Sequence, residues 1–133
     1  MPSAHLLRTL ASVAPGTVVA DLSAGETTPA LVALGFDVVA VSDAAIAGAS
    51  AVARPADLED ASADWVVVGA PDDGFSQLPD AARVLRAGGW VWIAADGPAV
   101  LAAAAGVGLV VSEAPGVTDG APHVIFRKPG AVG

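Results

Sequence analysis

The sequence predicts an α/β fold, namely a doubly wound, mainly parallel seven-stranded sheet that ends in an antiparallel hairpin. Three observations predict it. Short runs rich in Val, Ile and Trp are apolar on both faces, as strands covered by helices on two sides must be. Helical segments alternate with these runs, and glycine stands just past most of them, where a left-handed cap suits it. The last two strands are too close in sequence for a crossover helix, so they must pair antiparallel.

The first predicted element is a helix within residues 1–15. Ser3 is suited to cap it, and Leu6 and Leu10 recur at helical spacing on one apolar face. Pro15 and the glycine after it end the helix, because the pair cannot continue it.

The remaining predicted elements alternate between strand and helix. The clearest strands occupy residues 17–22, 37–41, 64–70, 89–95, 109–112 and 123–127. The helices occupy residues 29–34, 43–52, 76–86 and 98–105. A third strand near residues 51–56 is weaker, because Pro55 lacks the amide hydrogen that a central strand needs. Residues 106–128 contain the C-terminal hairpin.

Composition bounds the class of protein. The 133 residues form one domain, residues 1–133, which is long enough to bury a core. Cysteine is absent, which excludes disulfides and thiolate metal sites. Acidic residues outnumber basic ones 14 to 6, and the resulting net charge of -8 repels phosphate backbones. No nucleic-acid partner is therefore expected.

Hydropathy bears on partners and location. Apolar residues make up 54 % of the chain and charged residues only 15 %, a balance that indicates either extensive burial or an exposed apolar patch used for association. A homo-oligomer is the favoured expectation. The most apolar stretch, residues 100–111, is too short to span a bilayer, so no membrane contact is expected. The N-terminus lacks the long apolar segment of a signal peptide, and the predicted location is cytoplasmic.

Three stretches carry a resemblance to a known family. "LPDAARVLRAGGWVWIAA" (residues 78–95) reads as a helix, a glycine pair and a buried strand. "ADWVVVGAP" (63–71) is a strand led by an acidic and an aromatic residue, and "LVALGFDVVAVSD" (31–43) is a helix, its glycine cap and a strand. In these stretches the chain resembles the class I S-adenosylmethionine-dependent methyltransferases. The resemblance implies their Rossmann-like fold, S-adenosyl-L-methionine as cofactor and a small-molecule methyl acceptor.

The resemblance also implies cofactor-binding residues after the first strand. The family's first motif, acidic-x-Gly-x-Gly-x-Gly, aligns with "DLSAGET". Asp21 matches the acidic residue and Gly25 keeps the middle glycine, whereas Ser23 and Thr27 replace the other two. Glycine lets the backbone approach a ligand closely, and a side chain at the same position hinders that approach.

The other implied cofactor contacts follow later strands. Ser42 aligns with the acid that bonds the ribose hydroxyls, and Asp43 comes one residue later, where it can serve only if the strand has already ended. Asp57 aligns with the acid that bonds the adenine amino group, and Leu58 offers an apolar face for the ring. Gly69 lies near the end of the fourth strand.

Two functions remain open at this point. The dinucleotide motif G-x-G-x-x-G, the lysine of a phosphate loop and an Asp-Pro-Pro-Tyr motif are all absent from the sequence. The chain is then either an active methyltransferase or a catalytically inactive methyltransferase-like protein, a pseudoenzyme that serves as a binding or assembly module. The loss of two motif glycines favours the inactive protein. Asp21, Gly25 and Asp57, which align with the family's cofactor-binding positions, favour the active enzyme.

Few residues are candidates for catalysis or metal binding. His123, which opens the last strand, and His5, on the first helix, are the two candidate bases, although a histidine at a strand end is more often simply exposed. Asp72, Asp73 and Asp96 follow two strands and offer the oxygen ligands that Mg²⁺ prefers. Acids at such positions more often cap helices and solvate loops, so no metal is predicted.

The three tryptophans are predicted to pack in the core. Trp90 and Trp92 lie two residues apart on one strand, hence on one face, and Trp65 begins another strand. Core packing under a helix is favoured for all three over stacking on an adenine ring.

Overall fold

The computed structural model describes residues 4–23, 27–69, 75–118 and 120–130, and it contains one seven-stranded sheet. The strands are β1 Val18–Asp21, β2 Asp37–Val41, β3 Ser50–Val52, β4 Ala63–Val68, β5 Leu85–Ile93, β6 Val110–Thr118 and β7 Ala121–Arg127. Their order across the sheet is β3-β2-β1-β4-β5-β7-β6. The first five strands are parallel, and β7 pairs antiparallel with both β5 and β6. The predicted fold class is confirmed.

Two layers of helix cover the sheet. The helices are α1 Ala4–Leu10, α2 Thr28–Ala33, α3 Leu78–Val84 and α4 Pro98–Gly106, with a short 3-10 helix at Pro55–Asp57. Leu6 of α1 and Leu31 of α2 pack with Trp65 and Trp92 on one face of the sheet, whereas α3 and α4 pack on the other. The predicted core position is confirmed for Trp65 and Trp92, whereas Trp90 is partly buried and packs against the same cluster. No helix within the described residues has the length and apolarity to cross a membrane.

The helix predicted for residues 43–52 is wrong. Residues 43–49 form turns and bends, and Ser50–Val52 is β3, which pairs in parallel with β2. Alanine favours a helix here, but Gly48 takes a φ of 82°, which is incompatible with one, and Ile46 is the one large apolar side chain that could hold a helix on the sheet. The predicted third strand thus lies slightly earlier than expected, and Pro55 begins the 3-10 helix instead.

Other boundaries also differ from prediction. The first helix ends at Leu10, and turns and a bend follow within residues 11–16, where the helix was expected to continue to Pro15. The helix expected to reach residue 86 ends at Val84, and β5 begins at Leu85, which is fully buried and pairs with Ala63. The predicted glycine turn therefore lies inside β5, where Gly88 takes a φ of 84° beside an irregularity in the pairing with β4. In the hairpin, β6 continues to Thr118, so most of the expected loop is strand.

Arg83 of α3 holds the segment between β3 and β4 in place. Its guanidinium donates hydrogen bonds to the carbonyl oxygens of Leu58, at 2.7 Å, and Pro55, at 3.1 Å. It also pairs with the carboxylates of Asp60 and Asp80. The hydrogen bond to Asp60 contributes most to raising the pKa of Arg83. One arginine thus fixes the backbone that presents two of the predicted cofactor residues.

Candidate functional site

Four of the predicted cofactor residues, Asp21, Ser42, Asp43 and Gly69, lie at the carboxyl edge, the side of the sheet at which β1, β2, β4 and β5 end. In the strand order, the chain runs outward from β1 to β3 and then returns beside β1 with β4. Open α/β sheets bind ligands where the order reverses in this way, outside the carboxyl ends of the strands. Asp21 ends β1 and is level with Ala40 of β2 and Val67 of β4. The candidate site therefore lies at the reversal point.

Asp21 is fully buried, and its carboxylate is bonded within the protein. One oxygen, Oδ1, accepts the backbone N–H of Ser23 at 2.9 Å. The other, Oδ2, accepts the hydroxyls of Thr27 at 2.9 Å and Thr28 at 2.6 Å. Burying a carboxylate is costly unless such donors surround it, so Asp21 and these three groups form one structural unit.

Ser23 and Thr27, which replace two motif glycines, bond to each other. The backbone N–H of Thr27 donates to Oγ of Ser23 at 3.1 Å, and the two hydroxyl oxygens are 2.9 Å apart. Because the Thr27 hydroxyl donates to Asp21, the Ser23 hydroxyl must donate to Thr27. Both side chains are buried, so they fill space that glycine would leave open. Gly25 lies outside the described residues.

Gly69 lies directly after β4 and against the same turn. A Cβ atom at Gly69 would lie 2.9 Å from Cβ and 3.1 Å from Cα of Ser23. Real Cβ atoms do not approach other carbons so closely, so the absence of a side chain at Gly69 allows the end of β4 to pass Ser23. The structure thus brings Asp21, Ser23 and Gly69 together.

Ser42 and Asp43 line an open groove of about 350 Å³ at the end of β2, with Val41, Ala44 and Ala53. The Ser42 hydroxyl is used locally, because it donates to the carbonyl of Ala44 at 3.0 Å and accepts its N–H at 3.2 Å. Asp43 is exposed in the loop beyond β2, which ends at Val41. Because β2 has ended before Asp43, the side chain of Asp43 can face a ligand.

Asp57 and Leu58 lie at a second pocket, of about 240 Å³, on the face of the sheet that carries α3 and α4. Val39 and Val52 line its wall, and so do Val18, which begins β1, and Ser62, which precedes β4. This pocket therefore lies toward the amino ends of β1 and β4 and not at the carboxyl edge. Leu58 is 5 % exposed and belongs to the core, whereas Asp57 is exposed and has a guanidinium nitrogen of Arg54 at 3.4 Å from its carboxylate. Asp57 can thus meet a polar group at the rim of an apolar cavity.

The remaining candidates fall elsewhere. Asp96 is exposed ahead of α4, and Asp72 and Asp73 lie outside the described residues. His5 of α1 meets His123 and Glu113 of the C-terminal hairpin, and the three form the one cluster of three possible metal ligands in the described residues. His123 is 5 % exposed, so the expectation of an exposed strand-end histidine is wrong.

Sequence reasoning missed the roles of Thr28 and Glu113. Thr28 is the fully buried partner of Asp21, and a signal existed in the hydroxyl residues that stand six and seven positions after a buried acid. Glu113 was expected to lie in a loop but faces the two histidines from β6. No local sequence pattern predicts this contact, because it depends on the register of the strands.

The comparisons with known proteins concern the fold. No protein-family model and no curated protein match the sequence. Solved structures do match: a SAM-dependent methyltransferase from Methanosarcina mazei has a TM-score of 0.69 at 9 % identity, covering 98 % of this chain and 100 % of that one. The chain has the fold of the class I S-adenosylmethionine-dependent methyltransferases. This confirms the resemblance at the level of the fold.

Two further methyltransferase structures are similar. The 1,6-didemethyltoxoflavin-N1-methyltransferase of Burkholderia thailandensis, with bound S-adenosylhomocysteine, has a TM-score of 0.65 at 17 % identity and covers 92 % of this chain and 78 % of that one. A Haloferax volcanii methyltransferase in complex with the Trm112 methyltransferase activator has a TM-score of 0.69 at 17 % identity, with coverages of 95 % and 88 %.

The methyltransferase fold implies an adenosyl cofactor, and the residues at the end of β2 fit its ribose. The exposed carboxylate of Asp43 stands beside an open groove and can accept two ribose hydroxyls. The Asp57 carboxylate does not line this groove but lies at the second pocket, near the amino ends of β1 and β4. The side chains of the turn after β1 support the fold of the turn itself, because the hydroxyls of Ser23 and Thr27 are already bonded within the protein.

Proposed function

We propose that the chain binds S-adenosylmethionine at the carboxyl edge and transfers its methyl group to a small-molecule acceptor. One observation carries the proposal: in a methyltransferase fold, an open groove with an exposed carboxylate, Asp43, lies at the end of β2, beside the turn that Asp21 holds in place. Such an apolar groove with few polar groups suits a nucleoside.

Each residue of the proposed site has a separate task. Asp43 accepts the ribose hydroxyls, while Asp21 keeps the turn after β1 rigid. Bound S-adenosylmethionine supplies an electrophilic methyl group, which needs an acceptor held in line with the breaking bond. The chain's contribution is therefore proximity and orientation.

A second copy of the chain is the proposed lid. Val39, Val41 and Val52 are only partly buried on the α3 and α4 face of β2 and β3. An uncovered apolar surface beside the groove favours a homo-oligomer whose partner subunit excludes water from the reacting groups. Light scattering of the purified protein with and without S-adenosylhomocysteine measures the oligomeric state directly.

The second candidate function is an assembly module without methyl transfer. The observation that favours it is the closed network of Asp21, Ser23, Thr27 and Thr28, which uses inside the protein the groups that a cofactor cradle would leave free. In that case the protein keeps the fold because it provides a stable scaffold and binding surfaces. A fold does not by itself require the catalytic activity of its family.

Thermal unfolding with S-adenosylhomocysteine separates the two functions. If the folded state alone binds, ligand at about 100 times its dissociation constant adds about 2.7 kcal/mol and raises the midpoint by several degrees. We expect Asp43→Asn to weaken binding about tenfold, because a neutral amide accepts hydroxyl hydrogen bonds less strongly than a carboxylate.

Asp37→Asn is the matched control for the groove. Asp37 is also exposed but begins β2, at the opposite edge of the sheet, so its substitution should leave the ligand-induced shift unchanged. The absence of a shift in the unmodified protein at millimolar ligand contradicts cofactor binding and leaves the assembly module. A shift that Asp43→Asn does not reduce places the ligand outside the groove.

A further inference from the structure

His5, Glu113 and His123 bring three elements together away from the cofactor groove. His5 lies on α1, Glu113 on β6 and His123 on β7. The imidazole rings stack with centroids 3.4 Å apart and planes 4° apart. Oε2 of Glu113 lies 2.6 Å from Nε2 of His5 and 3.7 Å from Nδ1 of His123. The cluster thus connects the N-terminal helix to the C-terminal hairpin.

Trp92 determines which nitrogen of His5 carries the proton. The indole N–H of Trp92 donates to Nδ1 of His5 at 3.0 Å. An indole nitrogen can only donate, so Nδ1 must accept, and in the neutral ring the proton is on Nε2. His5 therefore donates to Glu113, and a second proton on its ring would displace Trp92. Both nitrogens of His5 are thereby occupied.

His123 is buried with one nitrogen unused. Its Nε2 bonds the hydroxyl of Thr118 at 2.9 Å, but its Nδ1 has no hydrogen-bond partner among the described residues. The ring is enclosed on one side by His5 and on another by Gly116, where an added Cβ would lie 3.2 Å from Cε1. A buried nitrogen of this kind calls for an explanation.

A metal ion does not explain the arrangement. An imidazole binds a metal through a lone pair in the ring plane, and one ion cannot lie in two parallel planes that are 3.4 Å apart. His5 would also need a free lone pair at Nε2, which its bond from Trp92 excludes. Metal-binding histidines normally donate from their second nitrogen, whereas His5 accepts there.

We propose that His5, Glu113 and His123 form an acid-sensitive clasp, which holds α1 against the sheet at neutral pH and releases it on acidification. At neutral pH, His5 bridges Trp92 on β5 and Glu113 on β6. Acidification places a proton on His123, and the new positive charge is buried against the face of the His5 ring, where little water can solvate it. The clasp does not depend on the proposed cofactor.

The direction of the pH dependence follows from His123. Burial contributes most to lowering the pKa of His123 below 6.5, repulsion from His5 adds to this, and Glu113 opposes it. The unfolded chain thus takes up a proton near pH 6.5 that the folded chain refuses. The stability that this difference contributes is fully present above pH 6.5 and is lost progressively as the pH falls from there through the lowered pKa of folded His123. Among the described residues, the titratable groups facing His123 are His5 from α1 and Glu113 from β6.

Release of α1 would uncover an apolar surface. Leu6 and Leu10 of α1 are fully buried against the sheet, where they pack with Trp92 and Ile125. Hydrogen exchange of the full chain, followed by mass spectrometry from pH 8.0 to 5.0 and corrected for intrinsic rates, measures the release. We expect the protection of α1 to fall at least tenfold between about pH 7 and 5.5 while that of β1 and β4 stays constant.

The chain has only two histidines, which provides a complete control. The double variant His5→Gln/His123→Gln should show no change of α1 protection in this pH range. Glu113→Gln should already weaken protection of α1 at pH 7.5, because the amide is a weaker acceptor for His5. If the wild-type profile is flat, or if the double variant shows the same loss, the clasp is refuted. Stronger protection of α1 by micromolar Zn²⁺ in the wild type alone would refute it in favour of a metal site.

Discussion

Asp21→Ala is expected to lower the free energy of unfolding by about 3 kcal/mol. The substitution removes the acceptor for the N–H of Ser23 and for the hydroxyls of Thr27 and Thr28. Thr28 is fully buried and Thr27 is 6 % exposed, so water cannot easily replace the carboxylate. Each buried donor left unpaired costs about 1–3 kcal/mol, and relaxation of the turn recovers part of the sum.

Urea denaturation at pH 7 measures the loss, and Asp37→Ala serves as the control. Asp37 is exposed at the start of β2, so its replacement should change stability by less than about 0.5 kcal/mol. A loss below about 1 kcal/mol for Asp21→Ala would show that the turn is held by other groups. Asp21→Asn should lower the free energy of unfolding by less than Asp21→Ala does but by more than the control, because its amide keeps one oxygen acceptor.

The stability of Asp21→Ala also bears on function. A carboxylate kept only to bind a ligand would be dispensable for folding, and its removal would abolish ligand binding without lowering stability. A carboxylate that supports the turn must affect stability even without ligand. The hydrogen bonds of Asp21 predict the second behaviour, whether or not the groove at Asp43 holds a nucleoside.

The fold was predictable because its signals are local. Each parallel strand is a short apolar run, and the runs at β1, β2, β4 and β5 were found with errors of a few residues. The prediction failed where two local signals conflict. Residues 43–49 have the alanines of a helix, but Gly48 and the lack of large apolar side chains other than Ile46 prevent one. At Leu85, burial against Ala63 decides the boundary, which helix propensity cannot reveal.

The site was only partly predictable, because side-chain direction depends on the turn. The motif alignment located Asp21 and Ser23 beside Gly69 but did not show that Thr27 and Thr28 turn inward onto the carboxylate. The clasp was beyond reach, since His5 meets Trp92 across a separation of 87 residues. Such contacts follow from the register of β5, β6 and β7, which composition does not encode.

Gly69→Ala is expected to lower the free energy of unfolding by about 2 kcal/mol, as overpacking of a close contact does. The new Cβ would lie 2.9 Å from Cβ and 3.1 Å from Cα of Ser23. Neither atom is the free end of a flexible side chain, so the turn after β1 and the end of β4 must move apart. That movement also disturbs the bonds of Ser23 to Asp21 and Thr27.

A double-mutant cycle with Ser23→Gly tests the cause of this loss. Ser23→Gly removes the Cβ that Ala at position 69 would strike, so the double variant should be more stable than the two single losses predict, by at least about 1 kcal/mol. Gly88→Ala is the control: a Cβ at Gly88 meets nothing within 4 Å, but the φ of 84° strains alanine by about 1 kcal/mol. Ser23→Gly should not relieve that strain. Additive losses for Ser23 and Gly69 would mean that the two strand ends are not in the close contact that shapes this edge of the site.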